Sequence, residues 1–180
     1  MALQVREARE PDIAAIAAIY ADEVRNHVNT YEYDVPDEAE MLQRMRAVRA
    51  AGHPYLVADD AGQVLGYAYS SSFRARAGYR FTVESSVYVA AAAQRRGVGA
   101  ALLGALIEAC ERRGMRQMIA VIGEPANLPS IRLHERFGFH HAGTVAGIAW
   151  KHGRWLDTVF MQRALGDGQR SDPVDRTNGD

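Results

Sequence analysis

The chain has 180 residues, of which 48% are hydrophobic and 24% are charged, and its formal net charge is -1 at pH 7. This length and composition are typical of one globular domain with its own hydrophobic core. A near-neutral chain has no long-range positive field to attract nucleic acid or an anionic membrane, so we expect neither partner. The single cysteine, Cys110, excludes an internal disulfide. With no apolar run of membrane length and no signal-peptide pattern, the cytoplasm is the expected location.

The first half of the chain predicts strands and helices in alternation. In chain order these elements are a strand over 5–9, a helix from Pro11, a helix over 37–50, and two strands over 55–58 and 64–69. The two helices are predicted from apolar residues at helical spacing, and the two strands flank a turn at Asp59–Gly62. The segment 26–35 is polar and aromatic without a clear period, so we expect a loop that covers a pocket.

The second half predicts a strand that leads into a long helix, followed by shorter elements. These are a strand over 81–89, a helix over 98–113, a strand over 118–122, a helix over 129–137, and strands over 139–145 and 158–163. In the first of these strands Phe81, Val83, Val87 and Val89 share one face, which we expect to point into the core. We expect one domain over 1–165. The polar, glycine-containing segment 166–180 predicts a disordered tail.

The turn between strand 81–89 and the next helix carries Gln94-Arg95-Arg96-Gly97-Val98-Gly99-Ala100. A helix N-terminus presents unpaired N–H groups and a partial positive charge, and it therefore binds phosphate readily. Gly97 and Gly99 allow a ligand to approach the backbone closely, and Arg95 and Arg96 add charge. The turn lacks the lysine and hydroxyl of a Walker motif and the third glycine of a dinucleotide-binding motif. From these residues alone, an ordinary strand-to-helix turn is an equally good interpretation.

Two segments together resemble the GNAT N-acetyltransferase superfamily. Residues 94–99 are similar to its pyrophosphate loop, and residues 127–139, with Asn127, Ser130 and His134, are similar to its second cofactor motif. Within the superfamily, three further segments resemble the phosphinothricin and methionine sulfoximine/sulfone acetyltransferases. They are Thr82-Val83-Glu84-Ser85-Ser86-Val87-Tyr88-Val89, Ile131-Arg132-Leu133-His134-Glu135 and Lys151-His152-Gly153-Arg154-Trp155-Leu156-Asp157. The resemblance spans residues 5–165.

This resemblance implies an α/β fold of the GNAT type. A central, mixed, mostly antiparallel twisted sheet is flanked by helices, and the cofactor lies at a splay between the two central strands. The implied co-substrate is acetyl-CoA and the implied assembly is a homodimer, while the histidine spacing predicts no metal site. The implied cofactor-binding residues are Val87, Tyr88, Val89, Arg95, Arg96, Gly97, Val98, Gly99, Ala100, Asn127 and Ser130.

Acetyl transfer to an amine requires a base, because a free amino acid is mostly ammonium at neutral pH. Glu84 is the candidate base, since it lies mid-strand and the resemblance places the base there; the alternative is a solvated carboxylate or a salt-bridge partner. His134 stands where many superfamily members have tyrosine. It is a candidate acid for the leaving thiolate or an aid in removing the amine proton, or else it only packs in its helix. Asn127 binds the cofactor or, alternatively, caps the following helix.

The candidate acceptor site combines a basic loop with the strand that carries Glu84. Its predicted substrate-binding residues are Arg74, Arg76, Tyr79, Glu84, Ser85 and Ser86. Arginine binds carboxylate or phosphinate through two hydrogen bonds, which favours an anionic acceptor, although a solvated basic loop has the same composition. The basic segment 151–155 is a poor nucleic-acid patch in a near-neutral chain. The resemblance suggests instead a turn that shapes the acceptor site or the dimer contact.

The sequence therefore predicts an acetyl-CoA-dependent N-acetyltransferase that acts by direct transfer on the α-amine of a small amino-acid analogue. Two alternatives remain open. One is acetylation of a protein N-terminus, which requires an open groove for a peptide. The other is a non-catalytic acyl-CoA-binding module, which would need the loop at 94–99 but would have no use for Glu84.

Overall fold

The computed structural model describes residues 3–174. It contains one seven-stranded sheet in the order β1-β2-β3-β4-β5-β7-β6, in which only β4 and β5 run parallel. The strands are β1 (Leu3–Glu7), β2 (Tyr55–Asp60), β3 (Gln63–Ser72), β4 (Thr82–Val89), β5 (Gln117–Ile122), β6 (His140–Lys151) and β7 (Arg154–Ala164). The α-helices are α1 (Ile13–Asn26), α2 (Glu38–Ala50), α3 (Val98–Arg112) and α4 (Leu128–Arg136). This mixed, mostly antiparallel sheet with flanking helices confirms the predicted fold class.

Helices cover both faces of the sheet, and each face has its own apolar core. One core combines α3 with sheet residues such as Val83 and Met118. The other combines α1 and α2 with a set of tyrosines that includes Tyr67 and Tyr88. On β4, Val83, Val87 and Val89 contribute to the α3 side, as their shared parity predicted. Tyr88 has the opposite parity and is buried as well, because the second face is also covered.

Local signals fixed the ends of several elements. Asp37 caps α2 by accepting a hydrogen bond from the Glu40 N–H at 2.8 Å, as expected for a helix that follows an aspartate. The turn between β2 and β3 contains Ala61 and Gly62 with φ of 53° and 90°. Two successive positive φ values match the right-handed twist of a hairpin, which explains the tight connection there.

The prediction for the last two strands was too short. A strand was expected over 139–145, but β6 extends to Lys151 and forms a long hairpin with β7. The pairing register shifts between His141 and Gly143 and again between Val145 and Ala149. Bulges of this kind break the alternation of apolar and polar residues. In addition, most of β6 is exposed at the edge of the sheet. The alternation that predicts a strand was therefore absent from the sequence.

The predicted disordered tail, 166–180, falls partly within the described residues. Arg116 donates hydrogen bonds to Ser171 and to the Asp172 carbonyl at 2.6–3.0 Å, and it lies 3.7 Å from the Asp167 carboxylate. Defined contacts therefore continue beyond residue 165, where the tail was expected to begin. Residues 175–180 lie outside the described residues. Within 3–174, no helix is both long and apolar enough to cross a membrane.

Close approach of β3 to β4 requires glycine at position 66. A Cβ there would lie 2.7 Å from the Tyr88 carbonyl oxygen and 3.1 Å from Leu102 Cδ1. We expect Gly66→Ala to lower the free energy of unfolding by about 1–3 kcal/mol, measured by urea denaturation. Gly78→Ala is the matched control, because a Cβ there meets nothing within 4 Å. Equal midpoints for the two variants would contradict the tight packing at Gly66.

Candidate active site

A cleft of about 1180 Å³ opens where β4 and β5 separate. The two strands pair over four residue pairs, the last of which joins Ser85 to Ala120. Beyond that point β4 stays paired to β3 as far as Val89, and β5 stays paired to β7 as far as Ile122. The inner edges of the two strands therefore face the cleft, which is the separation that the resemblance implied.

The N-terminus of α3 lies at this cleft. Its N-cap is Gly97 with φ of 83°, and no side chain caps the helix. Val98, Gly99 and Ala100 line the cleft, so the unpaired N–H groups of the first turn are close to it. Arg95 lines it too, from a left-handed backbone with φ of 59°. The turn thus offers backbone donors, a helix dipole and a guanidinium to an anionic group.

Glu84, Ser85 and Ser86 of β4 all line the cleft. Burial raises the pKa of Glu84, so its carboxylate is a stronger base than an ordinary glutamate. The Ser86 side chain hydrogen-bonds to Tyr69 of β3 on the same side of the sheet. The pKa of Tyr69 is raised, mainly by burial. Ser85 is buried, and its hydroxyl donates to the Ile119 carbonyl at 3.3 Å. Ser85 and Ser86 therefore already have protein partners.

His134 of α4 is 5% exposed and lines the opposite side of the opening. Its Nδ1 lies 2.8 Å from the Ser130 carbonyl oxygen, and a carbonyl only accepts, so Nδ1 carries a hydrogen. Burial lowers the pKa of the imidazole, which keeps the ring neutral at neutral pH. Its Nε2 then bears a lone pair, and this buried atom has no hydrogen-bond partner among the described residues.

Asn127 has protein partners for both ends of its side chain. Its Oδ1 accepts from the Ser130 N–H at 3.2 Å, and its Nδ2 donates to Asn29 Oδ1 at 2.7 Å. The Oδ1 bond is the capping alternative of the sequence analysis, while contact between Asn127 and the cofactor stays a prediction. Asn127 and Ser130 still line the cleft.

A loop segment, His27–Tyr31, which we call the wall segment, forms one side of the cleft. It lies within the predicted pocket-covering loop 26–35 and confirms that expectation. It packs directly on Gly123, where any Cβ would overlap the Val28 carbonyl oxygen. The Tyr31 hydroxyl contacts the Thr158 hydroxyl and lies 3.3 Å from the Gly123 carbonyl oxygen.

Four of the predicted site residues do not line the cleft. Arg96 Nη2 lies 3.9 Å from Asp60 Oδ2, because the left-handed backbone at Arg95 directs the two neighbouring side chains apart. The others are Arg74, Arg76 and Tyr79, which line a separate cavity of about 350 Å³. Their loop precedes β4, at the end of the strand that is still paired to β5, whereas the opening begins beyond Ser85.

The cleft also contains charged residues that the sequence analysis did not single out. Glu23 of α1 is buried, its pKa is raised by burial, and its Oε2 accepts from Asn29 at 2.6 Å. Its position three residues after Tyr20, on the apolar face of α1, was a signal that could have identified it. Cationic and histidine side chains line other parts of the cleft, namely Arg132, Arg136, His152 and Arg154.

Metal-ligating side chains do not gather in the described part of the chain. Within residues 3–174, no group of three or more His, Cys, Asp or Glu side chains is placed to hold a metal ion. The arrangement combines two features: a helix end suited to bind an anion and a half-buried carboxylate, that of Glu84, beside a gap between two strands. It is suited to hold a long anionic ligand along the gap and to remove a proton beside it.

Comparison with known sequences agrees with this geometry. The model of the acetyltransferase (GNAT) family matches residues 13–139. The chain is 46% identical over 172 residues to a phosphinothricin N-acetyltransferase of Alcaligenes faecalis, covering 96% of this chain and 87% of that protein. It is 42% identical over 174 residues to an L-methionine sulfoximine/L-methionine sulfone acetyltransferase of Pseudomonas paraeruginosa, covering 96% of this chain and 100% of that protein.

The fold has a close match among solved structures. A GNAT superfamily phosphinothricin acetyltransferase from Sinorhizobium meliloti, crystallised with AcCoA, superposes with a TM-score of 0.93 at 47% identity. The match covers 98% of this chain and 95% of that chain. These findings confirm the resemblance inferred from the segments at 82–89, 94–99 and 131–135. The chain belongs to the acetyltransferase (GNAT) family.

Proposed function

We propose that this protein transfers the acetyl group of acetyl-CoA to the α-amine of a small amino-acid analogue of the phosphinothricin, methionine sulfoximine or methionine sulfone type. The observation that carries the proposal is the cleft itself. An uncapped helix N-terminus, two unpaired strand edges and the half-buried Glu84 carboxylate face one continuous opening. The names of the relatives support the same class of acceptor.

The residues around the opening fit acetyl-CoA, which supplies the acetyl group as a thioester. The first turn of α3 and Arg95 hold its diphosphate through backbone N–H groups and one guanidinium. The free edge of β4 over Val87–Val89 offers backbone donors and acceptors to the amide-containing arm. A backbone N–H in this edge stabilises negative charge on the reacting carbonyl oxygen. Asn127 and Ser130 line the same opening and are proposed to contact the cofactor there.

Glu84 acts as the general base. Its raised pKa allows it to accept a proton from the acceptor's ammonium group, directly or through water, and so produce the free amine that attacks. His134 is also proposed to help remove the proton of the amine, rather than to protonate the leaving thiolate. Its neutral ring accepts at Nε2, and it has no proton to donate there until it has first taken one up.

We also propose a cytoplasmic homodimer, which the family resemblance implies. An exposed apolar patch on the β6–β7 hairpin supports the dimer and consists of Val145, Ile148, Trp150 and Trp155. Arg74, Arg76 and Tyr79 stay proposed acceptor-binding residues. Since the loop lies outside the cleft of its own chain, such a role requires a rearrangement of the loop or contact across an assembly.

An acceptor panel tests the proposal. We expect thiol release from acetyl-CoA with phosphinothricin, methionine sulfone or methionine sulfoximine to exceed release with ordinary amino acids and with peptides. The measurement is kcat/KM for each amine at saturating acetyl-CoA. Turnover with peptides alone would favour protein N-terminal acetylation. Acetyl-CoA binding without turnover of any amine would favour a non-catalytic module, and failure to bind acetyl-CoA would overturn the proposal.

We expect Glu84→Gln to lower kcat by about 10²–10⁴-fold, because the amide cannot accept the proton. Steady-state kinetics measures the loss, and circular dichroism checks the fold. Glu23→Gln is the matched control, since it removes another cleft carboxylate whose pKa is raised by burial. Its kcat should stay much closer to that of the wild type. A Glu84→Gln variant within about twofold of wild-type kcat would remove Glu84 from the role of base.

The same base predicts the acidic side of the pH profile. A base must be deprotonated to act, so kcat/KM should fall as the pH decreases through the pKa of Glu84. Because burial raises that pKa, the acidic limb should lie above the ordinary glutamate value of 4.5. A limb at or below that value in the free enzyme would contradict the raised pKa.

His134 should titrate below the ordinary histidine value of 6.5, because burial disfavours the imidazolium. NMR titration of the ring nitrogens should show a neutral ring with the hydrogen on Nδ1 at pH 6.5. His134→Asn retains a donor for the Ser130 carbonyl and removes Nε2, and we expect about a 10²-fold loss of kcat. Unchanged kcat and an unchanged pH profile in this variant would show that the histidine only packs in its helix.

A further inference from the structure

Lys151 is unusual in both its identity and its position. Of the 21 Lys and Arg residues in the chain, only Lys151 is a lysine. It ends β6, inside the Lys151–Asp157 segment that the family resemblance singled out, and it is only 2% exposed. Burial of an ammonium is unfavourable unless the charge is paired and hydrogen-bonded. The question is therefore what this side chain stabilises.

The ammonium is bound to the backbone of the wall segment. Lys151 Nζ donates to the His27 carbonyl at 2.8 Å and to the Thr30 carbonyl at 2.6 Å. His27 is the C-cap of α1, so the cation also lies at the negative end of that helix. Burial lowers the pKa of Lys151, and the nearby carboxylates of Glu23 and Glu32 oppose that shift.

The geometry also explains why lysine stands here in a chain that otherwise uses arginine. An ammonium is compact, and its three donors can reach two carbonyl oxygens only three residues apart. A guanidinium is a wider planar fork that suits carboxylates and phosphates. On the surface, for example, Arg44 spans the carboxylates of Glu32 and Glu40.

The wall segment is held between this lysine and the floor of the cleft. On its other side Val28 packs against Gly123, and Asn29 bonds to Glu23 and Asn127 at 2.6 and 2.7 Å. The residue after Lys151, His152, lines the cleft and lies 3.3 Å from the same His27 carbonyl oxygen. Lys151 itself does not line the cleft. It joins the hairpin turn to the loop that faces the opening.

We propose that Lys151 is a positioning residue for the acceptor: its ammonium fixes the wall segment at the distance from Glu84 at which the amine binds. The assignment rests on the proposed function, because it concerns the acceptor side of that cleft. The α3 turn that holds the cofactor is a separate element. Loss of the two Lys151 hydrogen bonds should therefore affect binding of the acceptor and leave acetyl-CoA binding unchanged.

Lys151→Met tests the assignment, because it retains the length of the side chain and removes the donors. We expect the acceptor KM to rise about tenfold, since a displaced wall no longer orients the amine. The KM for acetyl-CoA should stay within about twofold of wild type. Lys151→Arg retains the charge without the compact geometry. Its acceptor KM should lie between that of the wild type and that of Lys151→Met.

Arg116→Met is the matched control. It also removes a long cation that donates to backbone carbonyls, those of Ser171 and Asp172, in a turn that does not line the cleft. Both KM values should be unchanged. If Lys151→Met is too unstable to assay, Gly123→Ala displaces the same wall from the opposite side and should raise the acceptor KM in the same way.

The single lysine provides a readout that does not depend on activity. Protein labelled with ¹⁵N-lysine should show one side-chain ammonium resonance, protected from solvent exchange in the folded wild type. A rapidly exchanging resonance would overturn the assignment of Lys151, and so would equal rises of the acceptor KM and the acetyl-CoA KM in Lys151→Met. In either case an active wild type would still support the proposed function. A wild type that acetylates none of the amines would overturn both.

Discussion

The separation of β4 from β5 is the constraint on which the rest of this structure depends. Two parallel strands in the middle of a sheet would normally pair along their whole length, yet here the ladder ends at Ser85 and Ala120. Each strand remains fixed by its outer neighbour, so the gap is rigid and its edges keep unpaired backbone groups. Such groups need partners, and a ligand that lies along the gap can provide them.

Every other part of the site is arranged around this gap. α3 begins beside it with an uncapped turn, and α4 packs closely on α3 because Gly99 and Gly104 leave room for Leu133 and Phe137. That packing brings His134 to the far side of the opening. The wall segment faces it from a third direction, fixed to Gly123 and to the β6–β7 hairpin. The groups proposed to bind an anion and to remove a proton thus lie in one cleft but on different elements.

Much of the fold could be predicted because its signals are local. The Asp37 cap, the helical spacing of apolar residues in α1 and the parity of the valines in β4 each depend on residues a few positions apart. Glu84 and the turn at 94–100 were candidate site residues because one continuous stretch contains both, and both contribute to the lining of the cleft. The bulged strand β6 was predicted too short because its local alternation is broken. Arg74 and Arg76 stay predicted acceptor-binding residues, but the cavity that they line is separate from the cleft, because the composition of a loop does not show which opening it faces.

The sequence by itself determined the order of strands and helices, the anion-binding turn and the chemistry of its candidate base. Only the tertiary structure decided which groups meet. Lys151 and the wall carbonyls are more than 120 positions apart. The Ser130 carbonyl places the hydrogen of His134 on Nδ1, and burial keeps the ring neutral, so that Nε2 has a lone pair. Asn127 caps α4 through a local contact with Ser130, but only the fold brings its Nδ2 to Asn29. The spacing of apolar residues depends only on positions that are close in the sequence. The protonation of a side chain, its hydrogen-bond partners and its access to the cleft depend on distant segments that only folding brings together.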